Sequence, residues 1–108
     1  MGIDLVDVDD VRDSLRVHGE RYLQRIYTER EIEDCRGRPE RLAERFAAKE
    51  AALKVLCEAD EPVAWREIEV HGTTLHLLGR AAELAAEMKF AVSSSHEGPI
   101  AAAIVVAR

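Results

Sequence analysis

The chain has 108 residues, 47% of them apolar and 33% charged, with a formal net charge of -6. That balance excludes a disordered polar chain, and its acidity argues against nucleic acid as the main partner. No apolar run approaches the roughly 20 residues of a membrane helix, so no membrane role is expected. The length fits one domain over residues 1–108 with a modest core. Met1-Gly-Ile-Asp4 has neither the basic nor the apolar region of a secretory leader, and Val6 stands where a myristoylation signal wants Ser or Thr. Cys35 and Cys57 show no metal spacing, so a reducing cytoplasm is the expected setting.

Gly2 to Val8 reads as a short strand, with Ile3 and Leu5 on one side and Asp4 on the other. Asp9 or Asp10 can cap a helix from Val11 to about Val17, which stops at Gly19. Arg21 to Tyr27 forms a second helical piece, and Thr28-Glu-Arg-Glu31 has the form of a capping box that starts a third. Arg12, Arg16, Arg21, Arg25 and Arg30 crowd into this region, interleaved with Asp13, Glu20 and Glu29. Two readings stand level: a basic face for one acidic partner, or a solvated helix surface of mixed charge.

After a loop over Cys35 to Arg38, Pro39 opens a long helix to about Cys57, rich in strong helix formers. Leu42, Phe46 and Leu53 share its apolar face. Glu58-Ala-Asp-Glu-Pro62 ends it. Trp65 to His71 alternates as a strand, His71-Gly-Thr73 turns the chain, and Thr74 to Leu78 returns. Arg80 to Met88 is an Ala-rich helix, Phe90 to Ser95 a strand, His96 to Pro99 a turn. Ile100 to Ala107 is an apolar strand without alternation, which predicts burial on both faces. The element order predicts an α+β fold: a small antiparallel sheet with helices packed on one side.

The long helix carries the residues of greatest chemical interest. Glu50 and Lys54 are one turn apart at the edge of its apolar face, beside the small Ala43 and Ala47. Alone, this is an ordinary surface ion pair. Joined by Asp4, Glu50 gains a second carboxylate from another element, a usual way to hold Mg²⁺ whose other ligands come from water and a substrate phosphate. Lys54 and Arg45 would supply positive charge to that phosphate. Ser93-Ser-Ser-His96 places hydroxyls and an imidazole at a strand end. His18, His71 and His76 show no partner pattern. Glycine-rich phosphate loops, nucleophile elbows and zinc patterns are absent from the sequence.

Gly2-Ile-Asp-Leu-Val-Asp-Val8, Arg45-Phe-Ala-Ala-Lys-Glu-Ala-Ala-Leu-Lys54 and Ser93-Ser-Ser-His96 followed by Ile100-Ala-Ala-Ala-Ile-Val-Val106 occur in that order. Together they resemble the holo-acyl-carrier-protein synthase type of 4′-phosphopantetheinyl transferase over nearly the whole chain. The resemblance implies a homotrimer with active sites between subunits. Its substrates would be coenzyme A and an apo-acyl (or peptidyl) carrier protein, with Mg²⁺ as metal. The phosphopantetheine would move to a carrier serine, and adenosine 3′,5′-bisphosphate would leave. Asp4 and Glu50 match the family's metal ligands, Glu50 being also a base candidate, and Lys54 the lysine at the leaving phosphate. Asp4, Glu50 and Lys54 are thus the expected catalytic set. Arg45, Lys54, His96 and the adjacent Ser95 are expected at coenzyme A. Arg21 and Arg25 match positions that meet the acidic carrier, with Arg12 as a further contact.

This chain departs from the family pattern at three places. Asp10 stands where the family usually has a basic residue, which Arg12 or Arg16 could replace across a gap. The segment Val55 to Pro62 is acidic and Gly-free where a Gly-containing loop is usual, and His71-Gly-Thr-Thr74 replaces a Gly-x-Pro turn. The acidic segment motivates a rival reading, a trimeric carrier-binding module weak in coenzyme A use. The class of carrier, from fatty acid, polyketide or peptide synthesis, stays open.

Overall fold

A computed structural model describes residues 1–56 and 63–108. The opening strand β1 spans Gly2–Asp7, and helices α1 (Val8–His18), α2 (Glu20–Ile26) and α3 (Glu29–Cys35) follow in close succession. Helix α4 covers Pro39–Leu56. A single 3₁₀ turn at Trp65–Glu67 leads into the hairpin β2 (Ile68–His71) and β3 (Thr74–Leu77). Helix α5 (Gly79–Ala85), β4 (Phe90–Glu97) and β5 (Ile100–Ala107) complete the order. The expected α+β class holds, with the strands divided between two antiparallel sheets, β1-β5-β4 and the β2-β3 hairpin. The Val92 amide donates to the Thr73 carbonyl at 2.9 Å and joins them.

Helix α4 lies across the three-stranded sheet. Ala43, Ala47, Ala48, Ala51 and Ala52 are fully buried, and small side chains allow the helix to approach the strands closely. Gly2 is required by that approach, because a Cβ there would stand 2.0 Å from the Ala51 carbonyl oxygen. Leu42 is fully buried as expected, whereas Phe46 and Leu53 are only partly covered at the core's margin.

Several element boundaries differ from the sequence expectation. Helix α1 starts at Val8, not Val11, because Asp7 serves as its N-cap and accepts from the Asp9 amide at 2.9 Å. Trp65 to Glu67 is a 3₁₀ turn, not strand, and its Glu67 carboxylate accepts from the Ala64 amide at 3.2 Å. Helix α5 ends at Ala85, where Ala86 takes a positive φ of 50°. Strand β4 runs on to Glu97, since β5 offers Ile100 as a partner there. The Thr28 to Glu31 capping box forms as read: Thr28 N donates to Glu31 at 2.9 Å, and Glu31 N to Thr28 Oγ1 at 3.3 Å.

Strand β5 corrects the expectation of burial on both faces. Ala101, Ala103 and Val105 lie under α4, while Ile104 and Val106 stay 41% and 43% exposed on the other face. Ile3, directly opposite Ile104, is 51% exposed and Leu5 67%. Apolar residues thus occupy the uncovered face of the sheet, and Asp4 lies on the face that meets α4.

A buried ion pair fastens α4 to its surroundings. Lys49 Nζ lies 2.6 Å from Glu31 Oε1, with both side chains fully buried. The ammonium also donates to the carbonyls of Trp65, at 3.1 Å, and Ile68. Glu31 Oε2 accepts from the Val70 amide at 2.9 Å. Burial pushes the Lys49 amine downward in pKa, and the Glu31 charge opposes that shift.

Candidate active site

Asp4, Glu50 and Lys54 come together where β1 runs beneath α4. Lys54 Nζ is 2.7 Å from Asp4 Oδ1 and donates to the Ile3 carbonyl at 2.9 Å. The Asp4 side chain is 13% exposed and the Lys54 side chain 53%. Glu50 is half-buried and in hydrogen-bond contact with Asp4. Burial raises the Glu50 carboxyl above the ordinary carboxylate range, the Asp4 charge and hydrogen bond raise it further, and Lys54 works the other way. Two carboxylates held this close repel when both are ionised, and a cation between them relieves the repulsion.

The donor set fits a hard, oxygen-loving cation that keeps water and substrate ligands. Among the described residues no group of three or more His, Cys, Asp or Glu side chains could hold a metal alone. Asp4 and Glu50 would therefore be the protein's ligands, with the rest left to water and phosphate oxygens.

A second polar cluster lies on the other side of α4. Register puts Asp4, Ala103 and Ser94 in one row across the sheet, so Asp4 and Ser94 are two strand spacings apart, about 9.5 Å. Ser94 Oγ donates to Glu44 Oε1 at 2.9 Å, and Glu44 Oε2 lies 2.6 Å from His96 Nδ1. Glu44 leans toward β4, Glu50 and Lys54 toward β1, with buried Ala47 and Ala51 between. Ser95 points the other way from Ser94 by strand alternation, so the hydroxyl beside His96 is that of Ser94. Arg45 follows Glu44 on α4, and its Nε is sequestered without a hydrogen-bond partner among the described residues.

The arginines expected at a carrier separate into two places. Arg21 and Arg25 line a cavity of about 420 Å³ with His18 and Tyr22. Arg12 lies apart, 3.6 Å from Asp9 and 3.7 Å from Glu40. Tyr22 also lines a groove of about 260 Å³ with Val11, Phe46 and Asp10, and that groove reaches Glu50. The Tyr22 hydroxyl shares a 2.8 Å hydrogen bond with Tyr27, which donates to the Leu42 carbonyl at 3.0 Å. Burial drives the Tyr27 hydroxyl far above the usual phenol range.

Glu44 and Lys49 were not singled out from sequence, although each carries a signal. Lys49 interrupts the apolar stripe of Leu42, Phe46 and Leu53, and Glu44 interrupts the alanine face. A charge on either stripe requires a partner from another element. His71 pairs with Glu69, and its ring centroid is 5.9 Å from that of His76, on the hairpin away from Asp4. Cys35 is a free buried thiol, and burial raises its pKa to about 11. The segment from Cys57 to Pro62, which carries the largest departure from the family pattern, lies outside the described residues.

Comparison with known proteins places the chain in one family. Residues 1–104 match the model of the 4′-phosphopantetheinyl transferase superfamily. A holo-[acyl-carrier-protein] synthase of Herpetosiphon aurantiacus is 39% identical, the alignment covering 97% of this chain and 94% of that protein. The Chronobacterium ammoniagenes synthase in complex with coenzyme A superposes with a TM-score of 0.79 at 30% identity, over 99% of this chain and 94% of that one. The Helicobacter pylori synthase in complex with coenzyme A has the same fold, with a TM-score of 0.88 at 23% identity over 99% of this chain and 98% of that one.

Proposed function

The chain belongs to the 4′-phosphopantetheinyl transferase superfamily and transfers the phosphopantetheine of coenzyme A to an acyl carrier protein; we propose that it does so with Mg²⁺ at Asp4 and Glu50, as one domain over residues 1–108. The observation that carries this reading is the Asp4, Glu50 and Lys54 cluster, with Glu50 raised by burial and by Asp4. A bound Mg²⁺ would supply charge to the oxygens of the pyrophosphate. Glu50 takes the proton of the carrier serine as general base. The serine oxygen forms a bond to the phosphorus that bears pantetheine, and the bridging P–O bond breaks. Lys54 neutralises the leaving phosphate of adenosine 3′,5′-bisphosphate. Orientation of the two substrates supplies much of the remaining rate.

Arg45 and His96 hold coenzyme A phosphates in this reading, and the half-buried Glu44 carboxylate holds His96. Within one chain they lie across α4 from Asp4. In this reading a ligand that meets both sets is shared by two copies, with His96 of one placed toward Lys54 of the next. The apolar sheet face of Ile3, Leu5, Ile104 and Val106 is the surface through which three copies would associate. Arg21 and Arg25 meet the acidic carrier, and the groove walled by Val11, Tyr22 and Phe46 receives its serine-bearing segment. A reducing cytoplasm suits the free Cys35 thiol; no helix among the described residues is long and apolar enough to cross a membrane.

The test is to incubate the protein with coenzyme A and a panel of apo-carriers, with and without Mg²⁺, and to weigh the carriers. One added phosphopantetheine per carrier, only with Mg²⁺, is expected. Transfer that persists with all divalent cations chelated overturns the metal assignment.

A further inference from the structure

We propose that Glu44 is a positioning residue that fixes the orientation of His96 by accepting from Nδ1, so that Nε2 is presented to a phosphate of coenzyme A. The proposal rests on the assignment of His96 to that phosphate. Its own support is the arrangement around the carboxylate. Glu44 Oε1 accepts from Ser94 at 2.9 Å, and Glu44 Oε2 sits 2.6 Å from His96 Nδ1. The Ser94 bond holds the carboxylate plane, which leaves Oε2 aimed at the ring.

An ionised carboxylate only accepts hydrogen bonds, so Nδ1 carries the hydrogen that Glu44 receives. Nε2 then lies on the far side of the ring, and among the described residues it has no partner. The Glu44 side chain is 18% exposed and that of His96 41%, so the carboxylate is covered and the ring remains reachable. A phosphate oxygen needs a donor. The ring donates from both nitrogens only as the cation, so a bound phosphate and Glu44 would lie on opposite edges of one imidazolium. Carboxylate, imidazole and phosphate would form a relay of alternating charge, with the carboxylate shielded from the anion by the ring.

A tie between β4 and α4 would require Glu44 as well, but that role alone would not affect coenzyme A selectively. The test therefore separates the two. Wild type, Glu44→Gln, Glu44→Ala, His96→Ala and the Glu44→Ala/His96→Ala double variant are compared for KM of each substrate and for kcat. Imidazole ¹⁵N NMR reads the hydrogen on His96 Nδ1, assigned by the signals missing in His96→Ala. Loss of one charge-assisted hydrogen bond is expected to raise the KM for coenzyme A about tenfold in Glu44→Ala and less in Glu44→Gln. The KM for the carrier should stay unchanged, the Nδ1 hydrogen signal should be lost, and Glu44→Ala should add nothing in the His96→Ala background. Equal rises in both KM values, or a lower Tm alone, overturn the proposal.

His96→Ala decides which premise fails. If it leaves the KM for coenzyme A unchanged, the phosphate assignment of His96 falls and the proposal with it. If His96→Ala raises that KM while Glu44→Ala loses the Nδ1 hydrogen without raising it, the positioning role alone falls.

Discussion

Burial and then Asp4, on the neighbouring strand, raise the pKa of Glu50, while Lys54, one helical turn further along, holds Asp4 at 2.7 Å. The three charges do not cancel. Two carboxyl groups face one ammonium, which pairs with Asp4 and leaves Glu50 the less compensated of the two. A further cation between the two carboxyl groups would favour the ionised form of Glu50.

Replacing either carboxylate should abolish transfer. Asp4→Ala and Glu50→Ala are expected to lose phosphopantetheine transfer while keeping the native circular dichroism spectrum. Substantial residual activity in either would remove that residue from the metal site.

Glu50 also predicts a pH dependence of stability. Its pKa in the folded chain lies above the ordinary 4.5, so the native state binds the proton more tightly than the unfolded chain. The stabilising contribution is complete below pH 4.5 and is lost as pH rises through the raised value. Glu50→Gln removes that titration. The Tm of the wild type relative to Glu50→Gln should therefore fall across this interval in chelator, and Mg²⁺ should restore it at neutral pH. A Tm difference that is flat with pH would contradict the assignment.

The arginines of α2 should control the carrier only. Arg21→Glu and Arg25→Glu are expected to raise the KM for the carrier severalfold, more at low salt, and to leave the KM for coenzyme A nearly unchanged. Equal effects on both substrates would move these residues out of the carrier surface.

The open sheet face should decide assembly. Ile104→Asp places a charge on the apolar surface opposite Ile3 without touching α4. Sedimentation should report a trimer for the wild type and a smaller species for the variant, with loss of activity following loss of assembly. A wild type that sediments as a monomer while fully active would refute sites shared between copies.

The Lys49 and Glu31 pair should matter to stability and not to catalysis. Lys49→Met strands a fully buried carboxylate, which costs about 3–5 kcal/mol in such settings. Denaturant unfolding measures the loss, and activity per folded molecule should survive.

The sequence by itself determined the order of most elements and put forward Asp4, Glu50 and Lys54 as the candidate chemical residues. Helical spacing places Lys54 one turn after Glu50, and strand alternation separates Asp4 from Ile3 and Leu5, because both follow from backbone periodicity. The Thr28 to Glu31 capping box was legible for the same reason, since both partners lie within one helical turn. Tertiary structure decided what depends on residues far apart in sequence. Only the packing of α4 across β1, β5 and β4 joins Glu44 to Ser94 and His96, buries Lys49 against Glu31, and divides the polar residues between two sides of one helix. It also leaves the apolar face of β1 and β5 uncovered, which alternation alone could not foresee: a period of two says which residues share a face, and only the helix above the sheet says which face is inside.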